Sequence, residues 1–145
     1  MIVLDADVLI VHHVPTKDER YGPTEMILKA LRGKTKGITI YSLLDLVSNI
    51  ASVIGEAQSR EVYTSYLRGS EYQVLFPEFS GSWEEHVDEV LPYLIRGLSY
   101  RDSLTALTLD AQYDIEAYLT WRPKRFLNRV RFRVMNPEEF LRTVV

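Results

Sequence analysis

Three carboxylates that could act together lie far apart in this sequence: Asp5, Asp45 and Asp102, each close to the end of an apolar stretch or the start of a helical one. Carboxylates brought together repel unless a hard cation neutralises them, and Mg²⁺ or Mn²⁺ suits oxygen donors completed by water. Activation of water for attack on a phosphodiester is the chemistry such a cluster serves. Residue type leaves a plainer use open. Ser42-Leu-Leu-Asp45 and Ser99-Tyr-Arg-Asp102 also resemble capping boxes, with Asp in place of the usual Glu. Asp7 reads as a loop or capping residue rather than a fourth member.

The elements around these acids decide whether they meet. Ile2-Val3-Leu4 is a short apolar run of the kind found in strands buried on both faces, and Asp5 emerges at its carboxyl end, where open α/β sheets place ligands. A polar, turn-rich stretch from His12 to Gly22 precedes a helix from Thr24 to about Arg32. Ile38–Ile40 reads as a strand, and Ser42 opens a helix whose Leu43, Leu46, Val47, Ile50 and Ile54 share a face. Further helices are expected over Glu56–Leu67, Ser82–Arg96 and Arg101–Tyr113, with strands at Glu71–Phe76, Ala117–Thr120 and Arg131–Val134. Pro123 starts a short helix, and Asn136 caps the last one. At about 100° per residue, Asp45 lies some 180° from its helix's apolar face and Asp102 about 160° from Leu104, so both are expected to point away from the core. Strands separated by helices define an α/β fold: a three-layer α/β/α sandwich around a central, mainly parallel sheet of four to five strands, with residues 1–145 as one domain.

Composition narrows the function classes. Hydrophobic residues make up 46% and charged residues 26%, the balance of an ordinary globular protein. With no cysteine, disulfides, zinc–thiolate sites and thiol nucleophiles are excluded. Nothing resembles a signal peptide or a membrane span, which points to a cytoplasmic protein. The net charge of −3 hides an asymmetry: six cations and no acid between Arg122 and Arg133, five acids and no Lys or Arg between Glu78 and Glu89. Arg122, Lys124 and Arg125 are candidates for RNA phosphates, and Trp121 for stacking on an unpaired base; a solvated basic edge is the alternative. His12 and His13, adjacent and in an expected surface loop, are poor candidates for general bases.

Along nearly its whole length the sequence resembles the PIN-domain proteins, the fold of the VapC-type toxin ribonucleases. Met1-Ile-Val-Leu-Asp5-Ala-Asp-Val-Leu-Ile10 is similar to the opening strand and first acid of that family. Ile38-Thr-Ile-Tyr-Ser-Leu-Leu-Asp45-Leu-Val resembles the segment that normally carries a Glu, and Tyr100-Arg-Asp102-Ser-Leu-Thr-Ala-Leu the third acidic position. Ala117-Tyr-Leu-Thr-Trp-Arg-Pro-Lys-Arg-Phe126 resembles the late strand and its loop, and Asn136-Pro-Glu-Glu-Phe140-Leu the closing segment. The resemblance implies RNA cleavage dependent on Mg²⁺ or Mn²⁺, often under control of a small antitoxin, in proteins that often form homodimers. Asp5 and Asp102 would be metal ligands, Asp45 would take the place of the family's Glu, and Thr120 would orient a water or support the site.

Two departures define an alternative. Asp45 is one methylene shorter than Glu, and Trp121-Arg122 stands where many relatives carry another acid. A domain that holds RNA or a protein partner without cutting would also fit these residues. A third reading, a phosphatase of the haloacid dehalogenase type, would use Asp5-Ala-Asp7 with Asp110 and Asp114.

Overall fold

A computed structural model describes residues 1–14, 17–78 and 80–144. Its centre is a sheet of five parallel strands: β1 (Ile2–Leu4), β2 (Lys36–Thr39), β3 (Tyr72–Leu75), β4 (Ala117–Leu119) and β5 (Val134–Met135), in the order β3-β2-β1-β4-β5. All pairings are parallel, sharpening the expectation of a mainly parallel sheet. Among the described residues seven α-helices surround it: α1 (Ala6–His13), α2 (Tyr21–Ala30), α3 (Ile40–Val53), α4 (Glu56–Arg68), α5 (Trp83–Ile95), α6 (Tyr100–Asp110) and α7 (Pro137–Val144). Among the described residues no helix is long and apolar enough to cross a membrane.

Side chains alternate across the sheet as the period of two requires. Ile2, Leu4, Ile38, Ala117, Leu119 and Met135 face one core, packed with Leu9, Ile27, Leu43, Leu46, Ile50, Val62 and Phe140 from α1, α2, α3, α4 and α7. Val3, Leu75 and Tyr118 face the other, with Tyr93, Ala106 and Leu109 of α5 and α6 and the loop residue Phe126. The result is a three-layer α/β/α sandwich.

The chain builds outward from β1 to β3, then returns to add β4 and β5 on β1's other side. The order therefore reverses between β1 and β4. The chain leaves the carboxyl ends of these two strands toward opposite faces of the sheet, α1 into one core and Phe126 into the other, the usual setting for a ligand in open α/β sheets.

Several boundaries differ from the sequence reading. The stretch after Asp5 is helix α1 rather than loop, so His13 lies on a helix and is only partly exposed. Ala6, Val8, Leu9 and Val11 are all buried, which leaves no one-sided apolar pattern to announce a helix. Helix α3 starts at Ile40, capped by the Thr39 hydroxyl, which accepts from Ser42 N at 3.1 Å. Ser42 is thus not a cap, and Asp45 lies in the second turn. Strand β5 falls at Val134–Met135 rather than Arg131–Val134.

Candidate active site at the carboxyl end of the sheet

Asp5 ends β1 and caps α1, its Oδ1 accepting from Ala6 N at 2.8 Å. The side chain is buried, and every oxygen lobe is engaged. Ser42 Oγ donates to Oδ1 at 3.1 Å; Thr120 Oγ1, one residue beyond β4, lies 3.0 Å from Oδ2; Arg125 Nη2 donates to Oδ2 at 3.0 Å. Elements distant in sequence therefore converge on one carboxylate.

Asp102 is in the first turn of α6, whose cap is the Ser99 hydroxyl accepting from Asp102 N at 3.1 Å. Its own carboxylate does not complete a capping box. It accepts instead from Arg125 Nη1 at 2.8 Å. Contrary to the expectation from the helical wheel, Asp102 is buried, at 6% exposure. The wheel accounts only for the face toward the sheet, whereas the 3₁₀ turn Pro123–Arg125 brings a guanidinium over the other side. Asp45 is half exposed, as its position opposite the apolar face requires, and forms an ion pair with Arg101, which also comes within 4.0 Å of Asp102.

The three acids singled out by sequence are thus joined in one chain of charges, Asp45–Arg101–Asp102–Arg125–Asp5. A cleft of about 360 Å³ opens beside them, lined by Asp5, Asp7, Asp45, Asn49, Arg101 and Arg122 among others.

Asp7 belongs to this constellation, a role the sequence reading missed. Its Oδ2 accepts from Trp121 N at 3.0 Å and lies 2.8 Å from Thr120 Oγ1, while its Oδ1 is buried without a protein partner. Burial, reinforced by the charge of Asp5, pushes its carboxyl up to about 6. Its two-residue spacing from Asp5 was the available signal, but it carries meaning only once residues 6–13 are known to be helical, turning both acids toward β4.

Among the residues assigned to RNA, Arg122 and Lys124 are exposed and Arg122 lines the cleft. Trp121 is partly buried, with its indole Nε1 enclosed and unpartnered. Arg125 differs from Arg122 and Lys124: its side chain is only 21% exposed and is engaged by Asp5 and Asp102. Burial opposes its charge, but Asp5 and Asp102 outweigh that and hold the guanidinium above its ordinary pKa. Two buried carboxylates attract the nearest long cation, and nothing local to Arg125 in the sequence reveals them.

The phosphatase arrangement is not formed. Asp110 accepts from the Tyr93 hydroxyl, and Asp114 offers its carbonyl to the amino group of Met1, at the opposite end of β1 from Asp5. Among the described residues no three acidic or histidine side chains form a metal-ready group as they stand. Yet the donor chemistry fits a hard cation: one guanidinium reaching Asp5 and Asp102 at 3.0 and 2.8 Å shows that their oxygens converge on a single positive charge.

This fold is the VapC-type PIN-domain fold. VapC20 of Mycobacterium tuberculosis, a sarcin-ricin loop cleaving toxin, superposes with a TM-score of 0.60 at 12% identity, over 81% of this chain and 87% of that one. VapBC2 from Rickettsia felis, bound to a DNA fragment from their promoter, gives 0.58 at 18% identity, over 94% and 98%. No family model and no curated protein sequence matches the chain.

Proposed function

We propose that this protein is an endoribonuclease of the PIN type, dependent on Mg²⁺ or Mn²⁺, that acts as the toxin of a toxin–antitoxin pair with a small protein antitoxin. The observation carrying the reading is that Asp5, Asp45 and Asp102, from three separate elements, are linked through Arg101 and Arg125 next to a cleft that Asp5 and Asp45 line at the switch in strand order. The likeness to VapC structures adds support for the toxin assignment.

Asp5 and Asp102 would hold the cation directly, with Asp45 completing the acidic set from α3. A cation in such a site supplies activation of water and neutralisation of charge on the phosphate. The chain's own residues do the rest. Ser42, Ala6 N and Thr120 hold the Asp5 carboxylate in one orientation. Arg122 at the cleft and Lys124 nearby offer charge to the RNA backbone. Asn49, Ser48 and Ser52 line the cleft from α3 and offer hydrogen bonds to sugar and phosphate.

A second reading has its own observation. Arg101 and Arg125 already neutralise all three acids, the arrangement suited to a domain that holds RNA or a partner without cleaving it. Cleavage of single-stranded RNA by wild type, Asp5→Asn and Asp102→Asn, with Mn²⁺ binding followed by calorimetry, separates the two. The nuclease reading expects Mn²⁺ binding and cleavage in wild type and loss of cleavage in both variants. Folded wild-type protein that neither binds Mn²⁺ nor cuts RNA would leave the binding-domain reading.

A further inference from the structure

We infer that Arg125 and the divalent cation compete for the same carboxylate oxygens, so that the guanidinium is a resident occupant which must leave before the site can load. The inference rests on the metal-dependent reading above. It starts from which oxygens are free. Asp5 Oδ1 accepts from Ala6 N and Ser42 Oγ, whereas Oδ2 carries Thr120 Oγ1 and Arg125 Nη2, each at 3.0 Å, so Arg125 is the one charged partner on this carboxylate that a cation would replace. On Asp102, Arg125 Nη1 covers Oδ1 at 2.8 Å. A hard cation needs such atoms at about 2.0–2.1 Å for Mg²⁺, and a guanidinium held on the same oxygens repels it at that range.

Departure is physically available. Arg125 ends the three-residue turn Pro123–Arg125, anchored by the buried Phe126, and its side chain keeps partial exposure. Its long side chain can swing out while the backbone and Phe126 stay in place. The cost is that cation affinity falls by the fraction of molecules in which Arg125 is out. Once released, the guanidinium stands beside exposed Arg122 and Lys124, where a backbone phosphate offers it the bidentate partner it gave up. Arg125 would then alternate between holding the acids and holding the substrate.

The test is Mn²⁺ titration calorimetry, without RNA, on wild type, Arg125→Gln, Arg125→Lys and Asp5→Asn, each shown to be folded by circular dichroism. Competition expects Arg125→Gln to bind Mn²⁺ at least tenfold more tightly than wild type, with Asp5→Asn weaker than both. Equal affinities in wild type and Arg125→Gln would overturn the competition and leave the metal site standing. No binding by any folded variant would overturn both readings. Should Arg125→Gln fail to fold without metal, wild type itself decides: the guanidinium NMR resonances of Arg125 are expected to shift as Mg²⁺ saturates the protein, and resonances unmoved at saturation overturn the inference.

Discussion

Thr120 has one proton to donate and two carboxylates within reach, Asp5 at 3.0 Å and Asp7 at 2.8 Å, while it accepts from Arg122 N at 3.2 Å. The proton that burial keeps on Asp7 up to a pH of about 6 eases that conflict in mildly acidic solution. Thr120→Val keeps the shape and removes the hydroxyl, leaving buried acceptors short of a donor. A loss of about 1–3 kcal/mol in urea denaturation is expected, and an unchanged midpoint would show that water replaces it. His13 makes a pH prediction away from the cleft. Burial, and then neighbouring His12, lower its pKa from 6.5 to about 4. The unfolded chain therefore binds more protons between about pH 4 and 6.5, so stability rises with pH across that window and is lost as pH falls through it. For a partly exposed ring the effect is on the order of 2 kcal/mol. His13→Gln should flatten this dependence when denaturation at pH 4.5 and 7 is compared.

At the scale of elements, β2 begins with a fully buried lysine. Lys36 Nζ donates to Glu71 at 2.7 Å and lies 5.0 Å from the centre of the Tyr72 ring, joining β2 to the start of β3. An ion pair of this kind is worth little against an apolar replacement, whereas half of one is costly. Lys36→Met is expected to change stability by less than about 1 kcal/mol, and Glu71→Ala to lower it by about 1–3 kcal/mol, since Glu71 is itself exposed. Thermal unfolding of the two variants gives the comparison; equal losses would contradict it. Elements also show what the sequence could disclose. The apolar run of β1, the one-sided pattern of α3 and the caps at Ser82, Ser99 and Asn136 are local signals, and they yielded the α/β alternation and the positions of Asp5, Asp45 and Asp102. Helix α1 carries no such signal because it is enclosed on several sides. Arg125 reaches Asp5 across 120 positions, a contact that only the closed sheet brings about.

Over the whole molecule, charge is segregated. The acids from Glu78 to Glu89 fall on α5 and the segment before it, whereas the cations from Arg122 to Arg133 follow β4, with Arg122 at the cleft and Arg133 beside Met1 at the other end of the sheet. If the basic segment tracks an RNA backbone, binding weakens as salt rises, and each phosphate contact adds about −0.7 to the logarithmic slope for a single strand. The double variant Arg122→Ala/Lys124→Ala is expected to reduce that slope by about 1–2, measured by fluorescence anisotropy with single-stranded RNA in Ca²⁺ to avoid turnover. A slope equal to wild type would place the RNA elsewhere.

The reversal of strand order has a consequence for the time course of biosynthesis. Asp5 is made well before Thr120 and Arg125, which hold its carboxylate and lie 115 and 120 positions later. Closing β1 against β4 is a long-range step in a sheet with no local hairpin. A nascent chain ending before Ala117 carries all three acids without the strand that brings Thr120 beside Asp5. The Asp5 carboxylate therefore gains its hydroxyl and guanidinium partners only after the segment that follows β4 has been made.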